Sequence, residues 1–156
     1  MINSAQSAAF GEVEWVPPAV FRQAVEVNLL SVINVTQTFL PLLRKSKGRI
    51  VNIVSVLGRI SSPVRAPFCS SMSGVESFSD CLRLEMRRWG VDVVVVEPGD
   101  FTTGNLWFND RKMLQDAKKM WKEMPEETKK DYGKDYFEYK IRGLEEYAKE
   151  PVSELK

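Results

Sequence analysis

Residues 49–72 read RIVNIVSVLGRISSPVRAPFCSSM, and the opening six set the fold class. Ile50, Val51, Ile53 and Val54 are apolar and β-branched on nearly consecutive positions. A strand with one wet face alternates, so residues 49–54 predict a strand covered on both faces, as in a parallel sheet. Residues 91–96 (VDVVVV) repeat the pattern. Between the two, apolar residues at 68, 72, 75, 78, 82, 86 and 89 keep a helical period and predict a helix over 68–89, stopped by Gly90. Upstream, Pro17-Pro18 suits a helix start. Val25, Leu29, Val32, Ile33, Phe39, Leu40 and Leu43 then predict a helix over 20–43, closed by Gly48. Helix, strand, helix and strand with short connections give an α/β fold with right-handed crossovers.

A chain of 156 residues, 44% of them hydrophobic, can build a core. Its 22 basic and 21 acidic residues leave a net charge of +1, which argues against a nucleic-acid surface or a polybasic membrane patch. Basic residues thicken at 44–47 and 87–88, where they complement helix C-termini. Cys69 and Cys81 lie twelve apart on one predicted helix, about 18 Å along its axis, so they are expected as free thiols. No histidine is present, which removes a common metal ligand, and no metal site is expected. No charge-free run is long and apolar enough to suggest a membrane span.

Composition changes after Pro98-Gly99. Residues 109–156 are rich in Lys, Glu, Tyr and Met, and predict helices over 110–124, 126–132 and 135–149. Two parts are expected: a core over 1–108 and a helical lid or flap over 109–156.

Several motifs stand in a fixed order. Glu26-Val27-Asn28-Leu29 places an asparagine within a helix. Gly48-Arg49-Ile50-Val51-Asn52-Ile53-Val54-Ser55 delivers a serine from a buried strand. Pro98-Gly99 is followed by Thr103, and Asn3 ends a short opening segment. Together they resemble the short-chain dehydrogenase/reductase family over residues 3 to 103. That resemblance implies a partial Rossmann-type doubly wound parallel sheet, namely strands four to six of the family fold. Phe78-Ser79-Asp80-Cys81-Leu82-Arg83 and Asp131-Tyr132-Gly133-Lys134-Asp135-Tyr136-Phe137 look most like the members acting on 3-hydroxybutyrate-like hydroxy acids. Retinol and steroid dehydrogenases are the alternative.

By resemblance the reaction moves a hydride between an alcohol carbon and NAD or NADP, while a tyrosine exchanges the hydroxyl proton. Ser55 and Asn28 would retain their roles. The family's Tyr-x-x-x-Lys, however, falls on Phe68 and Met72. A phenyl ring cannot exchange a proton and a thioether carries no charge to tune one. General acid–base catalysis contributes roughly 10²–10⁴ in rate, so this reading expects a catalytically inactive chain. Cys69, Ser70 and Ser71 are expected to point to other sides of the helix. Phe68 and Met72 also read simply as core, at helical spacing on an apolar stripe. Arg59 and Arg65 face either a substrate carboxylate or solvent.

Asn3, Pro98, Gly99 and Thr103 are expected as the remnant of a cofactor site. The nine glycines, at 11, 48, 58, 74, 90, 99, 104, 133 and 143, assemble no dinucleotide-binding loop, which argues against NAD binding by these residues. The resemblance further implies a small hydroxy acid or ketone as substrate and a mitochondrial address, with the cytoplasm as alternative. It also places oligomer contacts on the two helices 20–43 and 68–89, through which a non-catalytic chain could pair with a full-length relative. With the family's first strands outside these residues, an unpaired sheet edge is expected to make the isolated chain marginal in stability.

Overall fold

A computed structural model describes residues 1–98 and 110–147. Three parallel strands, β1 (Ile2–Asn3), β2 (Arg49–Ile53) and β3 (Asp92–Val96), lie in the order β1-β2-β3. Asn3 stands opposite Asn52, and Asn52 opposite Val95. Helix α1 (Pro18–Val25) leads through a π turn (Glu26–Leu30) into α2 (Ser31–Ser46), and α3 (Ala66–Met86) connects β2 to β3.

Helices α2 and α3 pack on one face of the sheet, and a buried polar ladder shows how. Asn3 Nδ2 donates to Asn52 Oδ1 at 2.8 Å and to Thr36 Oγ1 of α2 at 3.5 Å. Asn52 Nδ2 donates to Ser79 Oγ of α3 at 2.8 Å, and Ser79 Oγ donates to Val75 O. Buried amides are costly unless paired, so this chain of bonds ties both helices to one strand register. Ile50, Val54 and Val93 fill the same face.

The other face departs from expectation. Consecutive apolar residues predicted cover on both sides. Among the described residues Val51 and Ile53 are only half-buried, while Ile2, Val94 and Val96 are exposed.

Two element boundaries also differ. The predicted helix 20–43 is a longer helical run, 18–46, widened at Glu26–Leu30. At its end the left-handed residue is Lys47 (φ 48°), whereas Gly48 was expected to close it. Gly48 serves a spatial need: a Cβ there would lie 3.2 Å from the Leu43 side chain, and its N–H donates to Leu43 O at 3.0 Å. Past Met86 the expected helix 68–89 tightens into a 3₁₀ turn, Arg87–Trp89.

Helices α4 (Asp110–Glu123), α5 (Glu126–Tyr132) and α6 (Lys134–Tyr147) gather around Trp15 from the loop before α1. Its ring meets Trp121, Tyr132 and Phe137 edge to face at 5.3–5.7 Å, and Trp121 stacks on Phe137 at 4.4 Å. Glu14 accepts from the Tyr132 hydroxyl at 3.1 Å, beside this apolar centre.

Candidate active site

Ser55 follows β2 in an extended conformation, where the strand's end turns into the 3₁₀ segment Val56–Gly58. Its Oγ accepts from Leu57 N at 3.2 Å, so the hydroxyl caps the turn it opens. The turn sits close on α3. A Cβ on Gly58 would lie 3.2 Å from the Met72 backbone, and Ser73 Oγ donates to Gly58 O. Glycine at 58 therefore allows the serine turn to rest on the helix that carries Phe68 and Met72.

Asn28 also meets α3, at the residue just before Met72. The π turn brings an extra residue into one helical turn and turns its amide inward. Asn28 Oδ1 accepts from Ser7 N at 2.6 Å, and its Nδ2 donates to Ser7 O at 2.9 Å and to Ser71 Oγ at 2.8 Å. A second close approach makes this fit: a Cβ at Gly74 would lie 2.8 Å from Leu29 Cδ2. Ser71 is the residue that sequence reasoning missed. It is fully buried, and its Oγ donates to Phe68 O, so it links Asn28 to α3 instead of pointing away. The sequence signal was its place just before Met72, one turn beyond Phe68.

Phe68 and Met72 are core. They are 4% and 1% exposed and cluster with Val32, Val54 and Val75, with Leu57 packed against them. A proton-exchanging pair would need a hydroxyl and a nearby cation, and the side chains of Phe68 and Met72 supply neither.

Arg59 is engaged. It pairs with Glu76 of α3 at 3.3 Å and with Glu97, just past β3. Burial pushes the Glu76 carboxyl above the usual range, the neighbouring Glu97 adds to the push, and Arg59 opposes it. Glu76 Oε1 is buried without a hydrogen-bond partner. These three side chains clasp the serine turn, α3 and the end of β3 together. Arg65 lines an open groove of about 670 Å³ with Phe10, Val64, Arg142 and Leu144.

The cofactor remnants divide. Asn3 spends its amide in the polar ladder and Pro98 is half-buried beyond β3, while Gly99 and Thr103 lie outside the described residues. No glycine-rich turn opens any described helix; α1 begins on Pro18 and α3 follows Arg65. The described residues do not fit a dinucleotide cradle. Among them no group of acidic, cysteine or histidine side chains could hold a metal ion. Cys69 is buried and Cys81 exposed, and both are free thiols.

A family model described as short chain dehydrogenase matches residues 1–113. The mitochondrial D-beta-hydroxybutyrate dehydrogenase of Rattus norvegicus is 48% identical over 148 residues, covering 95% of this chain and 43% of the relative. The 17-beta-hydroxysteroid dehydrogenase type 6 of Homo sapiens is 44% identical over 125 residues, covering 80% of this chain and 38% of the relative. Among solved structures, a short chain dehydrogenase from Burkholderia cenocepacia in complex with NADP superposes with a TM-score of 0.60 at 29% identity, covering 63% of this chain and 42% of that one. The chain thus spans less than half the length of these curated relatives.

Proposed function

The chain belongs to the short-chain dehydrogenase family, and we propose that within it this is a non-catalytic relative of the hydroxybutyrate dehydrogenases. One observation carries the reading: Phe68 and Met72 are sealed in an apolar cluster where a proton donor and its cation would have to stand. Ser55 and Asn28 remain as scaffold, the one capping its turn and the other fastening the π turn to α3. The substrate class of the relatives, a small hydroxy acid, and their mitochondrial address are carried over with this reading. The 1–108 core and the 109–156 helical lid remain its working division.

The test is direct. The purified chain, given 3-hydroxybutyrate and NAD, is expected to produce no NADH above a protein-free control, and calorimetric titration with NAD is expected to stay flat. Turnover that scales with protein concentration sinks the proposal.

A second reading has its own observation. Val35, Phe39 and Leu42 of α2 are exposed at helical spacing, and Leu84 of α3 is exposed as well. Such a stripe suits helix-to-helix pairing with a full-length relative. Co-expression with a tagged full-length hydroxybutyrate dehydrogenase should recover a mixed oligomer, and Phe39→Glu should abolish it. Recovery of the tagged protein alone counts against pairing.

A further inference from the structure

Between the serine turn and α3 the chain runs as an irregular loop that begins Arg59-Ile60-Ser61-Ser62-Pro63. Arg59, Ile60, Ser61 and Pro63 are exposed, and Ser62 is half-buried. Among the described residues the Ser62 hydroxyl has no partner beyond the Pro63 carbonyl, to which it donates at 3.4 Å. A proline disfavours helical backbone in the residue before it, so Ser62 suits the extended form in which a modifying enzyme reads a chain. Val64 then takes a left-handed conformation, φ 60°, which is costly for a β-branched residue. Its carbonyl accepts from Gly11 N–H at 2.9 Å, and this bond pins the loop in place.

Ser62 lines the open groove of about 670 Å³ that Arg65 and Leu144 also border. Three cations stand along it, Arg65, Lys140 and Arg142, against one acid, Glu146. Lys140 is already shared with Glu12 at 3.2 Å. Arg142 is exposed and forms no ion pair among the described residues. Arg65 immediately precedes α3, where no side chain caps the helix and no acid stands in the first turn. A cation at that end runs against the helix dipole. Exposed cations are ordinary one by one, but here two parts of the chain line one groove with them beside a seryl hydroxyl.

We propose that Ser62 is a phosphorylation site, and that its phosphate docks in this groove and fastens the loop to α6. The phosphoryl donor is ATP, used by a proline-directed protein kinase. Ser62 Oγ attacks the γ-phosphorus, the bond to the bridging oxygen of the departing ADP breaks, and the hydroxyl proton passes to the kinase's catalytic carboxylate. The product carries close to two negative charges and three acceptor oxygens, which guanidinium groups match best. Arg142 is its main partner, because no acid among the described residues already holds it. Arg59, three residues before Ser62, is engaged by Glu76 and Glu97, so Pro63 is the feature left for a kinase to read. Ser61 is exposed and does not line the groove, so a phosphate there would have no such cradle.

The intact chain is incubated with a proline-directed kinase and ATP, and the modified residue is read by tandem mass spectrometry. One phosphoryl group is expected on Ser62, and none after Ser62→Ala. Amide exchange in α6 and in residues 59–65 of the phosphorylated chain is expected to slow on the order of 10-fold against the unmodified chain. Arg142→Gln is expected to cancel that slowing while leaving exchange in the unmodified chain as it was. Circular dichroism of each variant must match the parent, and Arg65→Gln repeats the test should Arg142→Gln fail to fold. Transfer to Ser61 in place of Ser62 overturns the proposal, as does a folded chain that accepts no phosphoryl group. Unchanged exchange in α6 after phosphorylation overturns it too, and so does slowing that survives the arginine substitution.

Discussion

Two places in this molecule carry residues one helical turn apart at the spacing that family chemistry needs, and they fail it in opposite ways. Phe68 and Met72 on α3, which the proposed reading sets at the family's Tyr-x-x-x-Lys, carry neither a hydroxyl nor a charge. Tyr136 and Lys140 on α6 have the right side chains at the right spacing, yet the wrong neighbours. There the phenol donates to Glu12 Oε1 at 2.8 Å, and the lysine pairs with the same oxygen at 3.2 Å. The ammonium lies 5.1 Å from the centre of the ring, and both polar ends converge on one carboxylate oxygen. Burial acts against the Lys140 charge, but Tyr136 and Glu12 together hold its pKa above the ordinary value. Spacing brings two side chains together; the charges around them decide what they do.

The largest effect that could break this contrast is at Met72. Met72→Lys places an ammonium in a buried position among Val32, Val54 and Val75. The cost is expected at about 3–5 kcal/mol, read as a fall in the urea midpoint. Adding Phe68→Tyr should restore neither stability nor turnover with 3-hydroxybutyrate and NAD. A gain in activity would show that two side chains were the whole defect.

Asn28→Ala comes next, at about 2–3 kcal/mol, because it leaves Ser7 N and Ser71 Oγ without their buried partner. Amide exchange should speed up in the π turn and in α3 more than in α6. A uniform increase would mean that Asn28 serves global stability alone.

On the other side of the comparison, Glu12→Gln weakens the acceptor of both Tyr136 and Lys140. These groups are partly exposed, so about 1 kcal/mol is expected, seen as earlier melting of α4–α6 by tryptophan fluorescence. No change in that transition would remove Glu12 as the holder of α6.

The smallest expected effect is a pH dependence at Glu76. Its folded pKa is raised, so its contribution to stability is fully present below the ordinary carboxylate range and is lost as pH rises through the raised value. Glu76→Gln should flatten that slope. The variant should match the parent near pH 4 and exceed it at pH 8 by on the order of 0.5–1 kcal/mol. Parallel pH profiles for the two proteins would rule out Glu76 as the titrating group.

Much of the framework was legible because it depends on local signals. Unbroken β-branched runs gave β2 and β3, the 3.6-residue period gave α3, and serine after a buried strand gave the candidate site. What escaped depends on who meets whom. Ser71 looked like one more small polar residue until the π turn brought Asn28 against it. Glu76 sat unremarked at a buried helix position, because only folding gathers Glu97 and Arg59 around it. The end of α2 was misplaced by one residue, since a left-handed turn can fall on Lys47 when Gly48 is needed for room beside Leu43.

By itself, then, the sequence determined a parallel α/β framework, the family, and side chains at 68 and 72 that exchange no proton. These follow from side-chain type and periodicity, which no tertiary contact can alter. Only the tertiary structure decided that those two residues are buried core and that Tyr136 and Lys140 share one carboxylate oxygen. Electrostatics and burial act through space over a few ångströms, and the chain order of a folded protein does not record which groups come that close.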